Sequence, residues 1–249
     1  MQLAFGIRAW SAIAPGLENS AQWQQWAARA ECPQGDLVVG ASHIPAMARR
    51  RLGHVAKMAI TVVDAVLQDV PDPDVPVVWA SRYGDAEKSL ALLQQQAQHE
   101  PLSPTAFGLS VHNGVGAQHS ILRGVRANAV CIASSHAAPE AGVVEAVGLL
   151  NEGAEQVLLV CYDAGLPPDY RGFHDEPMVD HAWAVMVTLP TAGSECFALE
   201  ARAPDDIRTA DAAASTAASL PHALDVLHFF LQPQRATLTQ SHAHGSWHW

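Results

Sequence analysis

Ser134-Ser135-His136 places two hydroxyls and an imidazole in a row. These are side chains from which acyl-transfer and hydrolytic sites are built. The triplet follows the apolar run Ala129 to Ala133 and precedes a helical stretch beginning near Pro139. A nucleophile held between strand and helix gains help from the helix N-terminus in stabilising an oxyanion. The nucleophile elbow of hydrolases, however, needs small residues two before and two after its serine, as G-x-S-x-G, and no such glycines flank Ser134 or Ser135. A plain connection is the competing reading. Cys131 and Cys161 offer thiols, but each lies in an aliphatic run where burial raises the pKa and core packing is the better account. His242, His244 and His248 have a spacing able to hold Zn²⁺ or Ni²⁺. With no cysteine or carboxylate close by and tryptophans interleaved, adventitious affinity is favoured over a built site. His112-Asn113 either satisfies local hydrogen bonds or faces a partner.

The elements that must position the triplet are legible around it. Ala129 to Ala133 and Gln156 to Tyr162 are apolar runs too short for globular helices, and they read as buried strands. Between them Val143, Val144, Val147, Leu149 and Leu150 give a helical stripe that Gly153 closes. Strand, turn, helix, strand is a βαβ unit, which makes the two strands parallel and sets the triplet at the carboxyl edge of the sheet. Leu3, Phe5 and Ile7 alternate as in a half-buried strand, and Trp23 and Trp26 mark a short helix. Pro45 to Gln68 reads as one long helix, with Arg49, Arg50 and Arg51 on a solvated face or against an acidic partner. Val77 to Ala80 is a strand ending in Ser81-Arg82-Tyr83-Gly84, Ala86 to Ala97 is helical, and Ser103 caps a helix that has Pro104 in its first turn. Ala164 to Val179 is a loop of functional length. Trp183 to Leu189 and Cys196 to Ala201 read as a hairpin across Pro190 to Ser194. An alanine-rich stretch at 210 to 218 is weakly specified, Leu220 to Leu231 is a last helix, and the tail adds an edge strand.

The length of 249 residues with 49% hydrophobic content fits a single α/β domain over residues 1–249. A net charge of -11 argues against a nucleic-acid or anionic-membrane surface. The four cysteines show no CxxC spacing and read as core residues of a reducing compartment. The alternating start MQLAFGIRAW is neither a signal peptide nor a span, so a cytoplasmic location is expected, and no motif asks for a cofactor.

The span from Ser103 to about Gly165 resembles the N-terminal half of a β-ketoacyl synthase of the thiolase superfamily. The resemblance is carried by Ser103-Pro104, Ser110 and Asn113, Gly124 and Arg126, and Gly153 before Val157-Leu158-Leu159-Val160. It is closest to the short ketosynthase-like chain-length-factor subunits of aryl polyene biosynthesis, through Trp79 to Gly84, Leu102 to Phe107, Ser110-Val111-His112-Asn113 and Cys161-Tyr162-Asp163. The implied fold is a thiolase-like half, a mixed and mainly parallel sheet with helices on both faces. In that family the strand ends in Thr-Ala-Cys, whose cysteine takes the acyl chain. In ungapped register Ser134-Ser135-His136 stands there, with His136 at the nucleophile position. An acyl-imidazole hydrolyses readily, whereas a thioester is retained until attacked. The family's two catalytic histidines belong to a second half that this length does not accommodate, and His222, His228, His242, His244 and His248 match no motif, so no catalytic role passes to them. The resemblance therefore implies a non-catalytic subunit that pairs with an active β-ketoacyl-ACP synthase, meets acyl carrier protein through the complex, and shapes the acyl-chain tunnel. Ser110, His112, Asn113 and His136 fall at the partner interface or tunnel. Two rivals remain: an autonomous acyl-transfer or thioester-hydrolysing enzyme using Ser134, Ser135 or His136, and a metal-binding module on the His-rich tail.

Overall fold

The computed structural model describes residues 2–191, 193, 195–203, 219–232, 237–242 and 245–249. Its centre is β4 (Val157–Asp163), in which Val157 to Tyr162 are all buried because helices cover the strand on both sides. Alternate residues go to opposite layers. Val157, Leu159 and Cys161 meet one cluster with α7 (Ala138–Asn151), while Leu158, Val160 and Tyr162 meet the other with α3 (His54–Leu67). The first cluster also takes in α1 (Ser20–Ala28), whose start is fixed by a capping box. There the Asn19 side chain accepts from Gln22 N at 3.0 Å, and the Gln22 side chain accepts from Asn19 N at 3.1 Å. It further includes α8 (His222–Leu231).

The sheet has eight strands among the described residues, in the order β3-β2-β4-β5-β1-β6-β8-β7. These are β1 (Gln2–Ile13), β2 (Val77–Ser81), β3 (Ala129–Ala133), β5 (His181–Thr188), β6 (Phe197–Arg202), β7 (Thr239–His242) and β8 (Gly245–His248). Only β3 with β2 and β2 with β4 pair in parallel. The other five neighbouring pairs are antiparallel. The expected mainly parallel sheet is thus corrected to a mixed, mostly antiparallel one. Parallel pairing needs a crossover such as α7, and the 164–180 connection supplies only a 3₁₀ turn at Pro168–Phe173, so β5 returns alongside β4 in the opposite sense.

Three further expectations change. The hairpin across 190–194 does not form, because β1 lies between its strands: Gln2 to Phe5 pair with β6, and Gly6 to Ile13 pair with β5. The stripe from Pro45 to Gln68 is two helices, α2 (Ala46–Arg49) and α3, parted at Gly53. Gly53 has an extended backbone, and a Cβ there would meet Lys88 Nζ at 3.1 Å and Asp85 Oδ2 at 3.3 Å. Finally, β3 is not buried. It is the sheet edge, with Ala129 and Ala133 exposed and Val130, Cys131 and Ile132 half-buried. Of the cysteines only Cys161 is buried, and Cys196 is exposed just before β6. The alanine-rich stretch at 210–218 lies outside the described residues. The tail supplies two strands, β7 forming the other edge.

Candidate functional site

The carboxyl ends of β2, β3 and β4 converge beside the N-terminus of α7, as the βαβ unit requires. Asp163, at the end of β4, is held by the chain leaving β2. Its carboxylate accepts from Ser81 Oγ at 2.8 Å, from Tyr83 N at 2.9 Å, and from Arg82 N at 3.0 and 3.1 Å. Ser81 Oγ in turn accepts from Gly84 N at 2.7 Å. Burial pushes the Asp163 carboxyl up, while His181 and these donors oppose the shift. The Arg82 side chain crosses the edge and forks onto Asp175 at 2.6 and 2.7 Å, with Glu176 at 3.1 Å. Burial opposes the guanidinium's charge, but the two acids overcome it and raise the pKa. Arg82 holds Asp175 below the usual carboxylate range and lies 4.9 Å from the Tyr83 ring centroid. Burial pushes the Tyr83 phenol up to about 12.

His136 joins this network rather than a nucleophile. Its side chain is 52% exposed, with Nδ1 3.4 Å from an Arg82 nitrogen and 3.6 Å from Asp175 Oδ2. Neither Ser134 nor Ser135 is hydrogen-bonded to the imidazole, whose neighbours are Arg82 and Asp175. Cys161 and Cys131 lie within strands, and burial raises both thiols. Ser134 and His136 share a cavity of about 30 Å³ with Arg82, Asp163, Glu176, His181 and His222. On the other side of the turn an open cleft of about 500 Å³ runs between Ser134 to Ala137 and the residues Ser241, His242 and Trp247 of the β7–β8 hairpin.

The other residues singled out from the sequence fall in two places. On the helices beside β3, Ser110 ends α5 (Pro104–Ser110), and its Oγ donates to Phe107 O at 2.9 Å. The Ser103 cap forms as expected, accepting from Ala106 N at 3.2 Å. The His112 ring lies 3.0 Å from Ser81 O and so tacks this segment to the end of β2. Asn113 is exposed at the start of α6 (Gly114–Arg123) and makes no side-chain capping bond. Phe107 on α5 and Ile121 on α6 are 61% and 83% exposed, and Val111, just after α5, is exposed as well. In the tail, His248 contacts Ser246 Oγ at 2.8 Å and Thr239 Oγ1 at 3.2 Å. His242 lines the cleft, and His244 lies outside the described residues. Among the described residues no three His, Cys, Asp or Glu side chains are grouped to hold a metal. His228 is structural, 2.9 Å from Ala27 O and packed on Trp26.

Sequence reasoning missed Arg82, Glu140, Asp163, Asp175, Glu176 and His181 as members of one network. The available signals were charges ending two strands, Ser81-Arg82 and Asp163, and a lone Glu140 in the first turn of an apolar helix. His222, which matches no motif of the family, reaches the same cavity. Its Nε2 is 2.7 Å from buried Glu140 Oε1, and its backbone N donates to Glu176 at 2.8 Å.

This arrangement, a mixed eight-stranded sheet with a βαβ unit at one side and helices over it, is a ketosynthase-like fold. The chain belongs to the β-ketoacyl synthase family, matching that family's N-terminal domain over residues 23–249. Among solved structures it is similar to a chain of the ketosynthase ApeO in complex with its chain length factor ApeC from Xenorhabdus doucetiae. That match has 26% identity, 99% of each chain covered and a TM-score of 0.83. The ishigamide ketosynthase/chain length factor shares the fold at 16% identity, with 82% of this chain and 68% of that chain covered and a TM-score of 0.65. A β-ketoacyl synthase from Burkholderia phymatum shares it at 12% identity, with 84% and 66% covered and a TM-score of 0.62. No curated protein matches the sequence.

Proposed function

We propose that this chain is a non-catalytic chain-length-factor subunit that pairs with an active β-ketoacyl-ACP synthase in polyketide biosynthesis of the aryl polyene type and helps wall its acyl tunnel. The observation that supports the reading is the turn itself. In the register the resemblance implies, His136 takes the place of the family's acyl-accepting cysteine, and its imidazole lies 3.4 Å from an Arg82 nitrogen and 3.6 Å from Asp175 Oδ2. Condensation then belongs to the partner. The unpaired edge of β3 and the exposed Phe107, Val111 and Ile121 supply a surface of the kind a partner subunit covers. Ser110, His112 and Asn113 sit beside that surface. The exposed Arg50 and Arg51, with Met47 at 67% exposure, suit an acidic carrier protein that approaches the complex.

Co-expression with an active full-length β-ketoacyl-ACP synthase, followed by size exclusion, tests the pairing. Co-elution is expected, and a monomer that never co-elutes overturns the proposal. Within the complex His136→Ala is expected to leave condensation running. Loss of condensation with the dimer intact would assign His136 a chemical role.

A further inference from the structure

Glu140 is a carboxylate where an apolar side chain would pack. It lies in the first turn of α7, with no exposed surface, among Ala138, Pro139, Gly142 and Val143. One oxygen, Oε1, is 2.7 Å from His222 Nε2 and accepts from the Trp249 indole Nε1 at 2.9 Å. The partners come from separate parts of the fold, His222 opening α8 and Trp249 following β8. The hairpin has a second attachment, since Gln240 on β7 donates through Nε2 to His136 O at 3.3 Å. Its sheet connection is short: β8 pairs with β6 over Glu200 to Arg202 only. Two four-residue strands at a sheet edge are marginal without further anchorage.

The geometry points to Glu140 as a buried latch: its carboxylate fastens the β7–β8 hairpin to α7 and α8, and the 500 Å³ cleft beside the Ser134–His136 turn keeps its wall only while Trp249 is held. A hydrogen bond to an ionised acceptor is stronger than a neutral one, so a single indole N–H gives this fastening its hold. Trp249 also packs against Phe5, Phe229 and Phe230, and the ring alone would keep those contacts.

Trp249→Phe separates the two roles by keeping an aromatic ring and deleting the donor. Amide hydrogen exchange followed by mass spectrometry on the full chain compares residues 237–249 with β4. Exchange of the hairpin is expected to rise about tenfold or more, as loss of one bond to a charged group allows, while β4 keeps its protection. Glu140→Gln, close in size and uncharged, is expected to act in the same direction, and Gln240→Ala more weakly. Unchanged hairpin exchange in Trp249→Phe overturns the latch. So does a rise that β4 matches, since that would mark global destabilisation. Should Glu140→Gln fail to fold, Trp249→Phe decides alone.

Discussion

At the scale of single residues, the Glu140–His222 pair shows how this fold tolerates charge in its interior. Burial by itself lowers the His222 pKa, but the Glu140 carboxylate, through charge and hydrogen bond, outweighs it, with Asp225 and Glu176 adding, so the folded value is raised above 6.5. A histidine raised in this way stabilises the fold fully below its unfolded pKa, and the contribution disappears as pH rises through the folded value. Breaking a buried pair typically costs about 3–5 kcal/mol, because it strands the remaining charge. Urea midpoints of the wild type and of His222→Gln should therefore differ most at pH 6 and draw together as the pH is raised. A gap that stays constant from pH 6 to 9 would contradict this. Little of this network could be read from the chain. Arg82 and Asp163 end apolar strands, where a charged residue usually marks only the strand's exit, and Asp175 and Glu176 sit in a loop that periodicity cannot place. What was readable was the placement: Ser134-Ser135-His136 lies at the turn between β3 and α7, as the strand and helix patterns on either side of it require.

At the scale of elements, α7 was readable because both its pattern and its stops are local. It packs on the sheet through Gly142, where an added Cβ would stand 2.5 Å from Leu159 Cδ1 and 3.3 Å from Ala80 Cβ. Gly148 lies on the exposed face of the same helix with nothing within 4 Å of its added Cβ. The two alanine substitutions should move stability in opposite directions. Gly142→Ala is expected to cost about 1–3 kcal/mol by overpacking, and Gly148→Ala to gain about 0.5–1 kcal/mol from helix propensity. Urea unfolding of the two variants checks the pair, and stabilisation by Gly142→Ala would show that α7 does not sit this close to β4. The elements misjudged from sequence share one cause, dependence on distant residues. An apolar strand looks the same in a sheet centre and at an edge, so β3 read as buried. Likewise nothing between residues 183 and 201 announces that β1 will come between β5 and β6.

At the scale of the whole molecule, the proposed pairing makes the exposed apolar side chains of α5 and α6 a matter of assembly rather than folding. Phe107→Glu and Ile121→Lys replace side chains that are 61% and 83% exposed, and surface changes of this kind usually stay within about 0.5 kcal/mol. The isolated chain should unfold at nearly the wild-type urea concentration in both variants, while co-elution with the ketosynthase is lost. Variants that co-elute as well as wild type would move the interface elsewhere. The position of β1 has a consequence for biosynthesis. Its residues pair with partners at 182–188 and 197–200. At about 5–20 residues per second a ribosome needs about 10–40 s to deliver those partners. Through that interval β1 holds Phe5, Ala12 and Ile13 and two open hydrogen-bonding edges without a sheet to join, so it stays open to non-native strand pairing until the residues up to about 200 have emerged.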